Sequence, residues 1–441
     1  MPINQYPPVL RKVSSPKTDS TSWPQGRRAR LLEPMRLFDC GYALRAISEA
    51  FQIGRSGAFV TNMRSFRGVL SAKHGFAAFG SPVAPHNADK VVAQIYNSAR
   101  LIVARLNQPQ PDMHRPGIFP ILTMFGHEEQ QMKLPITGLH HITSIASDAR
   151  INNDFFTRSI GLRRVKKTVN FDAPGTYHLY YGNATGDPGT VMTYFPFGGV
   201  EMGRRGTGEV GQTVFSVPVG TLAYWTERLS GIGVGGLKAE HLFGENRLLF
   251  TGPDGDGFAL AEVGEDVRAG WTGAGIGEAE AVRGFHSATL RLRDSGPTAE
   301  LLGFMGYRKR AVQGNLTRYS IDDGNGADII DLETLPDLGP ALQGAGSVHH
   351  IAFAVPDRAA QLRVRQALID TGYNVTPVID RDYFWAIYFR TPGGILFEVA
   401  TAGPGFDRDE TPEHLGEALK LPSRHEGLRA QLEAYLDPIA G

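Results

Sequence analysis

The chain has 441 residues, too many for one ordinary domain, so two or three domains are expected. Lys plus Arg and Asp plus Glu balance at 45 each, which argues against a charge-driven partner such as nucleic acid. The single cysteine, Cys40, rules out an intramolecular disulfide, and no apolar run approaches the ~20 residues that a bilayer span requires. With no apolar core of a secretory signal behind the N-terminal charges, the expectation is a soluble, cytoplasmic protein with no membrane contact.

Residues 1–131 differ from the rest, carrying 16 basic and 8 acidic side chains. "VSSPKTDSTSWPQGRRARLLEP" is rich in Pro, Ser and Arg without periodicity, so a partly disordered N-terminal extension is expected. Within it only "NADKVVAQIYNSARLIVARL", Asn87 to Leu106, has the spacing of an amphipathic helix. A transit peptide, a small regulatory domain, or read-through from upstream of the true start would all have this composition. Met132 opens "MKLPITGLHH", itself a sensible start.

From Gly138 the chain repeats one order of signals four times: an apolar strand, a short helix ending near Gly, and strands closing on a Gly-led apolar run. The first unit opens on "HHITSIASD" and closes on "PGTVMTYFP"; the second runs from "GQTVFSVPVG" to "GPDGDGFALAEV". The third runs from "GFHSATLRLRD" to "GADIIDLETL", and the fourth from "HHIAFAVPD" to "TPGGILFEVAT". A period of about 50–60 residues describes a repeated supersecondary unit, here βαβββ. One such small sheet cannot bury both faces, so units should pair. The expected fold is α+β: four tandem βαβββ modules paired into two domains. The division is residues 132–270 for modules 1 and 2 and 280–441 for modules 3 and 4 plus a tail, with a Gly-rich linker between.

Aligning units one and four places His141 opposite His350 and Asp148 opposite Asp357. Side chains alternate along a strand, so one histidine of each His-His pair points into the sheet's concavity and its neighbour away. The second of each pair, in phase with Thr143 or Ala352, is read as the inward one. Four residues beyond the closing glycines Gly394 and Gly189 stand Glu398 and Thr193. His141, His350 and Glu398 thus occupy equivalent inward slots, with Thr193 where a fourth ligand could sit. Two imidazoles and a carboxylate make a facial triad suited to non-heme Fe(II), leaving positions open for exogenous ligands. A lone strand histidine is more often a hydrogen-bonded core residue. Recurrence at matched positions, and the cost of burying a glutamate in "ILFEVA" without a partner, favour the metal.

These residues carry a resemblance. "GLHHIT", "GLRRVKKTVNFDAPGTYHLYYGNATGDPGTVMTYFP", "RGFHS", "HHIAFAVPD", "RDYFWAIYFRTPGGILFEVAT" and the tail "GPGFDRDETPEHLGEALKLP" together resemble the vicinal oxygen chelate superfamily. Within it they are most similar to hydroquinone ring-cleaving dioxygenases, a type I extradiol branch, from about Gly138 to about Pro422. The resemblance implies glyoxalase/extradiol-dioxygenase-like domains, Fe(II) held by His141, His350 and Glu398, and insertion of both atoms of O2 into a hydroquinone-type or catechol diol. It further implies Tyr388 beside the iron and Arg381 holding an anionic substrate oxygen. His140 and His349, next to the ligands in sequence, are acid–base candidates, and Thr143 a pocket wall. Tyr177 and His178 match the family or simply pack. His349, His140 or Tyr388 could relay the proton, and a homo-oligomer is left open.

Two rival readings share the fold. A glyoxalase-like lyase or isomerase uses a closed four-ligand site, against which Thr193 argues. A metal-free small-molecule-binding resistance protein would lack the three inward ligands. His286, read as the third unit's equivalent of His141, and Asp331, read as that of Glu398, are expected to pair with each other rather than to build a second metal site.

Overall fold

The computed structural model describes residues 134–439. Cys40, the expected helix at Asn87 to Leu106 and the rest of the N-terminal extension lie outside the described residues. Among the described residues no helix is long and apolar enough to cross a membrane.

Four βαβββ modules follow one another, as the repeats require. Module 1 is β1 (Leu139–Ala146), α1 (Ala149–Asp154), β2 (Arg163–Val169), β3 (Tyr177–Gly182) and β4 (Val191–Pro196). Module 2 is β5 (Glu209–Val217), α2 (Leu222–Gly231), β6 (Lys238–Leu242), β7 (Glu245–Thr251) and β8 (Gly257–Glu262). Module 3 is β9 (Gly284–Leu292), α3 (Gly296–Phe304), β10 (Arg308–Gln313), β11 (Leu316–Ser320) and β12 (Ile329–Thr334). Module 4 is β13 (Val348–Val355), α4 (Arg358–Asp370), β14 (Ile379–Asp380), β15 (Phe384–Arg390) and β16 (Leu396–Pro404). The matched acids Asp148 and Asp357 are helix caps: each carboxylate accepts backbone N–H bonds, Asp148 from Arg150 and Ile151 and Asp357 from Ala360, which would otherwise be unsatisfied.

The modules form two curled eight-stranded sheets, ordered β14-β15-β16-β13-β1-β4-β3-β2 and β10-β11-β12-β9-β5-β8-β7-β6. Each sheet is therefore made by two modules whose first strands run antiparallel at a central seam, β1 against β13 and β5 against β9. The sequence reading grouped chain neighbours, 1 with 2 and 3 with 4. Hydrogen bonding instead joins 1 to 4 and 2 to 3. The physical reason lies in the linkers 197–208 and 335–346, which run side by side through the bridges Met202–Ala345, Arg204–Leu342 and Thr207–Pro340. Held together there, they carry modules 1 and 4 to one sheet and 2 and 3 to the other.

Phe155 and Phe156, at the end of α1, pack on Phe258 of β8, so the apolar core is shared by both sheets. The turn before β8 adds two polar clamps between them. Asp254 accepts from the Ser147 backbone N–H and hydroxyl, and Asp256 accepts from the Tyr194 hydroxyl at 2.8 Å.

Burial raises the Asp256 carboxyl to about 6, even though the Tyr194 hydroxyl bonded to it favours the ionised form. The folded chain then holds a proton that the unfolded chain has lost, so stability falls as pH rises from about 4 through 6 and levels off above. Asp256→Asn, which keeps the Tyr194 contact, should flatten this fall and raise the thermal midpoint at pH 7 but not at pH 4. Melting curves at the two pH values check it; equal shifts at both would assign the effect to packing.

Candidate metal centre

The seam of the first sheet builds the site. Pairing of β1 with β13 slips by one residue in two places, between Leu139 and His141 and again opposite Thr143 and Ser144. The residues squeezed out of register are His140 and His349. Each is a β-bulge, which re-aims a side chain that strict alternation would send to the far face. Both therefore stay beside their neighbours, with His140 Nδ1 2.9 Å from His141 Nδ1 and His349 Nδ1 2.7 Å from His350 Nδ1. Alternation alone placed them facing away; the bulges overcome it.

His141, His350 and Glu398 converge on the concave face, among the described residues the one such cluster with a metal ligand's geometry. His141 Nε2 lies 3.2 Å from His350 Nε2, and Glu398 Oε2 lies 3.0 Å from His350 Nε2 and 3.4 Å from His141 Nε2. Bonds of about 2.1 Å to a first-row divalent cation separate neighbouring donors by about 3.0–3.4 Å. The triangle is thus the size of one face of such a coordination shell. Glu398 is 0 % exposed, and neither of its oxygens has a hydrogen-bond partner. Burial alone would raise its pKa; positive charge on the two imidazoles beside it outweighs this and holds the carboxyl well below its usual range, and a cation on the same face would supply that charge with both Nε2 atoms bare. A buried, ionised and unbonded carboxylate aimed between two imidazoles fits a cation.

Hydrogen bonding fixes which nitrogen faces that cation. His140 Nε2 lies 3.1 Å from the Thr401 carbonyl, which can only accept, so His140 carries its proton there. Burial and the neighbouring His141 hold His140 down at about 3, so it is neutral and its Nδ1 must accept. His141 therefore donates from Nδ1 and keeps a bare Nε2 for the metal. His349, also lowered to about 3 by burial and the charge of His350, stands in the same relation to that ligand.

Tyr388 is the direct cross-strand partner of Glu398. Its hydroxyl accepts from Arg381 Nε at 3.2 Å, and Arg381 in turn pairs with Asp172 at 3.3 Å. Burial raises the Tyr388 pKa and keeps its hydroxyl protonated. Thr143 faces Thr193 across β1 and β4, their hydroxyls 2.9 Å apart. Tyr177 is turned elsewhere, donating to the Asp437 carbonyl, whereas His178 bonds Thr193 at 2.8 Å.

A cavity of about 260 Å³ opens beside His140, walled by Tyr383, Phe384, Phe406 and Leu415. The Phe384 ring stands 5.0 Å from that of His141, between cavity and triad. The tail supplies Phe406 and Leu415 and is pinned by Lys166, buried and paired with Asp409 and Glu410. Sequence reasoning treated the tail only as part of the resemblance; a lysine inside "RRVKKTV" and the acids of "FDRDE" were its available signal.

The second sheet has the same register with different chemistry. Asp331 pairs with Thr289 as Glu398 pairs with Ala352, which puts Ser287 in the slot of His350. Gln212 stands at that of His141 and Ala259 at that of Thr193. The alignment of His286 with His141 is thus corrected by one residue: it is the bulge, equivalent to His140 and His349. Nor does it pair with Asp331. His286 contacts Glu245 at 2.9 Å, while Asp331 takes a two-pronged bond from Arg318, 2.8 Å on each arm. The closing-strand slot of module 2 falls to Ala259.

Paired βαβββ modules with two histidines and a glutamate on one concave face define a glyoxalase-type fold carrying a candidate metal centre. The chain belongs to the Glyoxalase/Bleomycin resistance protein/Dioxygenase superfamily, the vicinal oxygen chelate proteins, whose model matches residues 265–399. It is 44% identical over 303 residues to a Bacillus subtilis protein named as a ring-cleaving dioxygenase, MhqO, covering 68% of this chain and 96% of that one. It is 37% identical to the chlorohydroquinone/hydroquinone 1,2-dioxygenase of Sphingobium indicum, covering 70% and 99%. A crystal structure of a Bacillus subtilis protein titled as a dioxygenase superposes with a TM-score of 0.67 at 43% identity, over 69% of this chain and 97% of that one.

Replacing His141, His350 or Glu398 by Ala should each abolish stoichiometric metal binding, whereas His286→Ala should spare it. Metal analysis of the four purified variants decides this; a His286→Ala protein that loses its metal while His141→Ala keeps it would move the centre to the second sheet.

Proposed function

We propose that the protein is an Fe(II)-dependent ring-cleaving dioxygenase that acts on a hydroquinone-type diol and O2 by the extradiol route. One observation carries the reading: three ligands meet at a face whose fourth slot is the neutral Thr193, leaving positions for diol and O2. The named activities of the relatives support the same class. An isomerase of the glyoxalase kind would need a carboxylate or imidazole where Thr193 stands.

His141, His350 and Glu398 would hold the iron, which supplies Lewis acidity toward the diol oxygen and electron transfer to O2. The chain's own residues do the rest. Arg381, charged and mostly buried, sets a cation beside the Tyr388 hydroxyl, where a diol oxygen that has lost its proton would be favoured. Tyr388, protonated and held by Arg381, is placed to donate a hydrogen bond to an oxygen next to Glu398. Neutral His140 and His349 sit at the Nδ1 edges of His141 and His350 and hold the ligand rings with Nε2 turned to the concave face. Phe384 and the tail keep bulk water from the triad. The 260 Å³ cavity has room for a single aromatic ring approaching past Phe384. A role for residues 1–131 outside catalysis belongs to the same proposal, since the relatives match over about 70% of this chain.

Fe(II)-reconstituted protein should consume O2 on addition of methyl- or chlorohydroquinone. Tyr388→Phe should keep its iron and lose on the order of 10² in turnover. Oxygen uptake with iron analysis tests both; iron retained without uptake on any diol would defeat the dioxygenase reading, and unchanged turnover would return Tyr388 to packing. A chain beginning at Met132 keeps every ligand and should retain most of the uptake; a soluble, iron-loaded, inactive product would make the extension part of the site.

A further inference from the structure

The slot that carries no ligand is not idle. From it a continuous line of hydrogen bonds runs away from the metal face. Thr143 Oγ1 is 2.9 Å from Thr193 Oγ1, Thr193 Oγ1 is 2.8 Å from His178 Nε2, and His178 Nδ1 is 2.8 Å from the Tyr180 hydroxyl. All four residues are buried. Tyr180 is the cross-strand partner of Thr193 just as Tyr388 is of Glu398. The chain therefore occupies, in module 1, the place that the ligand and its tyrosine occupy in module 4.

Every member can both donate and accept. A neutral imidazole has one N–H and one bare nitrogen, and burial together with the nearby His141 and His350 keeps His178 neutral. The line can then be polarised in only two ways. If Tyr180 donates to Nδ1, His178 donates from Nε2 to Thr193, Thr193 donates to Thr143, and the Thr143 hydrogen is left to point into the site. If His178 carries its proton on Nδ1, the order reverses, Thr143 donates to Thr193, and the site meets the bare Thr143 oxygen. The rings of Phe195, 4.3 Å away, and Tyr180, 4.0 Å away, hold the imidazole in place for either state. Thr143 lies directly across the seam from His350, so the end of the line is at the metal face.

We propose that His178 and Tyr180 are positioning residues, which act through Thr193 to set whether Thr143 offers the bound diol a hydrogen or a lone pair. A diol that still has its proton is met by the accepting state. The oxygen left after its loss is met by the donating state, and the His178 tautomer distinguishes the two. The inference rests on the diol-cleaving reading of the same centre. It assigns a task to two residues that touch neither metal nor substrate.

Thr193→Val breaks the line at its middle with almost no change of shape. The test loads wild type and variant with zinc, which is diamagnetic, and follows the His178 ring nitrogens by 15N NMR as chlorohydroquinone is added. The wild-type His178 signals should move with diol and those of Thr193→Val should stay. In the iron-loaded enzymes Thr193→Val and Tyr180→Phe should each lose about tenfold in kcat, the worth of one hydrogen bond, with KM within about twofold and iron content unchanged. Thr193→Ser, which restores the hydroxyl, should recover both signals and rate, and it answers for any loss of folding in the valine variant. Signals that move equally in wild type and Thr193→Val, or a wild-type kcat in Thr193→Val, would overturn the proposal. Absence of turnover in wild type with every diol would instead fail the underlying dioxygenase reading, whatever the NMR shows.

Discussion

A carboxylate with no exposed surface and no hydrogen bond is the constraint on which the rest of this molecule depends. Left alone at Glu398 it would cost several kcal/mol and would simply take up a proton. Two imidazoles within 3.4 Å are a partial answer, and a cation on the shared face is the full one. The surroundings are arranged to keep that face bare. Ala352 and Ala400 flank Glu398 on the concave surface with nothing larger than a methyl group. His140 and His349 occupy the Nδ1 edges of the ligands, so that the Nε2 edges stay directed inward.

The seam between β1 and β13 is what makes three residues from two distant modules meet. An antiparallel pair with unbroken register would bring His141 and His350 to the concave face but drive their neighbours outward. The two bulges, related by the approximate two-fold axis of the sheet, retain all four imidazoles on one side. The second sheet keeps the same bulge at His286, between the pairs Val214–Ser287 and Phe215–Phe285. The two halves of the molecule thus share backbone geometry and differ in side-chain chemistry.

Much of this could be read before any coordinates. The four modules, the convergence of His141, His350 and Glu398 and the place of Thr193 beside them follow from a period and from the phase of alternation, which are local properties. What the sequence could not convey were slips of one residue. His286 can be set against His141 in a motif comparison because "GFHS" holds one histidine where "LHHI" holds two, and nothing local says which of the two it matches. Only the pairing partner, Ser287 with Val214, reveals that the second histidine of the pattern has been replaced by serine. The closing slot at Ala259 is hidden in the same way, since the one charged residue of "GFALAEV", Glu262, stands out of phase with it. Which modules share a sheet was equally hidden, because it depends on two linkers lying together and not on any property of the modules themselves. His178 and Tyr180 were visible as "TYHLYYG", but their link to Thr193 crosses strands and has no trace in the local pattern.

The two sheets show two solutions to one electrostatic problem. Each presents a buried acid at the same register position, Glu398 in one and Asp331 in the other, both with no exposed surface. In the second sheet the cross-strand neighbour is Arg318, not tyrosine, and it satisfies both oxygens of Asp331 within the protein. Arg247 and Glu245 extend the pairing until the concavity is filled with matched charge. Such a network balances both carboxylates with cations of the protein itself and calls for no metal. In the first sheet the same position faces Tyr388, whose hydroxyl accepts from Arg381 and, being neutral, carries no charge to balance Glu398. That single exchange, tyrosine for arginine on the adjacent strand, leaves a charge that the protein does not itself balance. The lack of an internal counter-ion is therefore the feature that separates the half with a candidate metal centre from the half whose charges close on themselves, more than the presence of histidines, since His286 sits at the same bulge and bonds to Glu245.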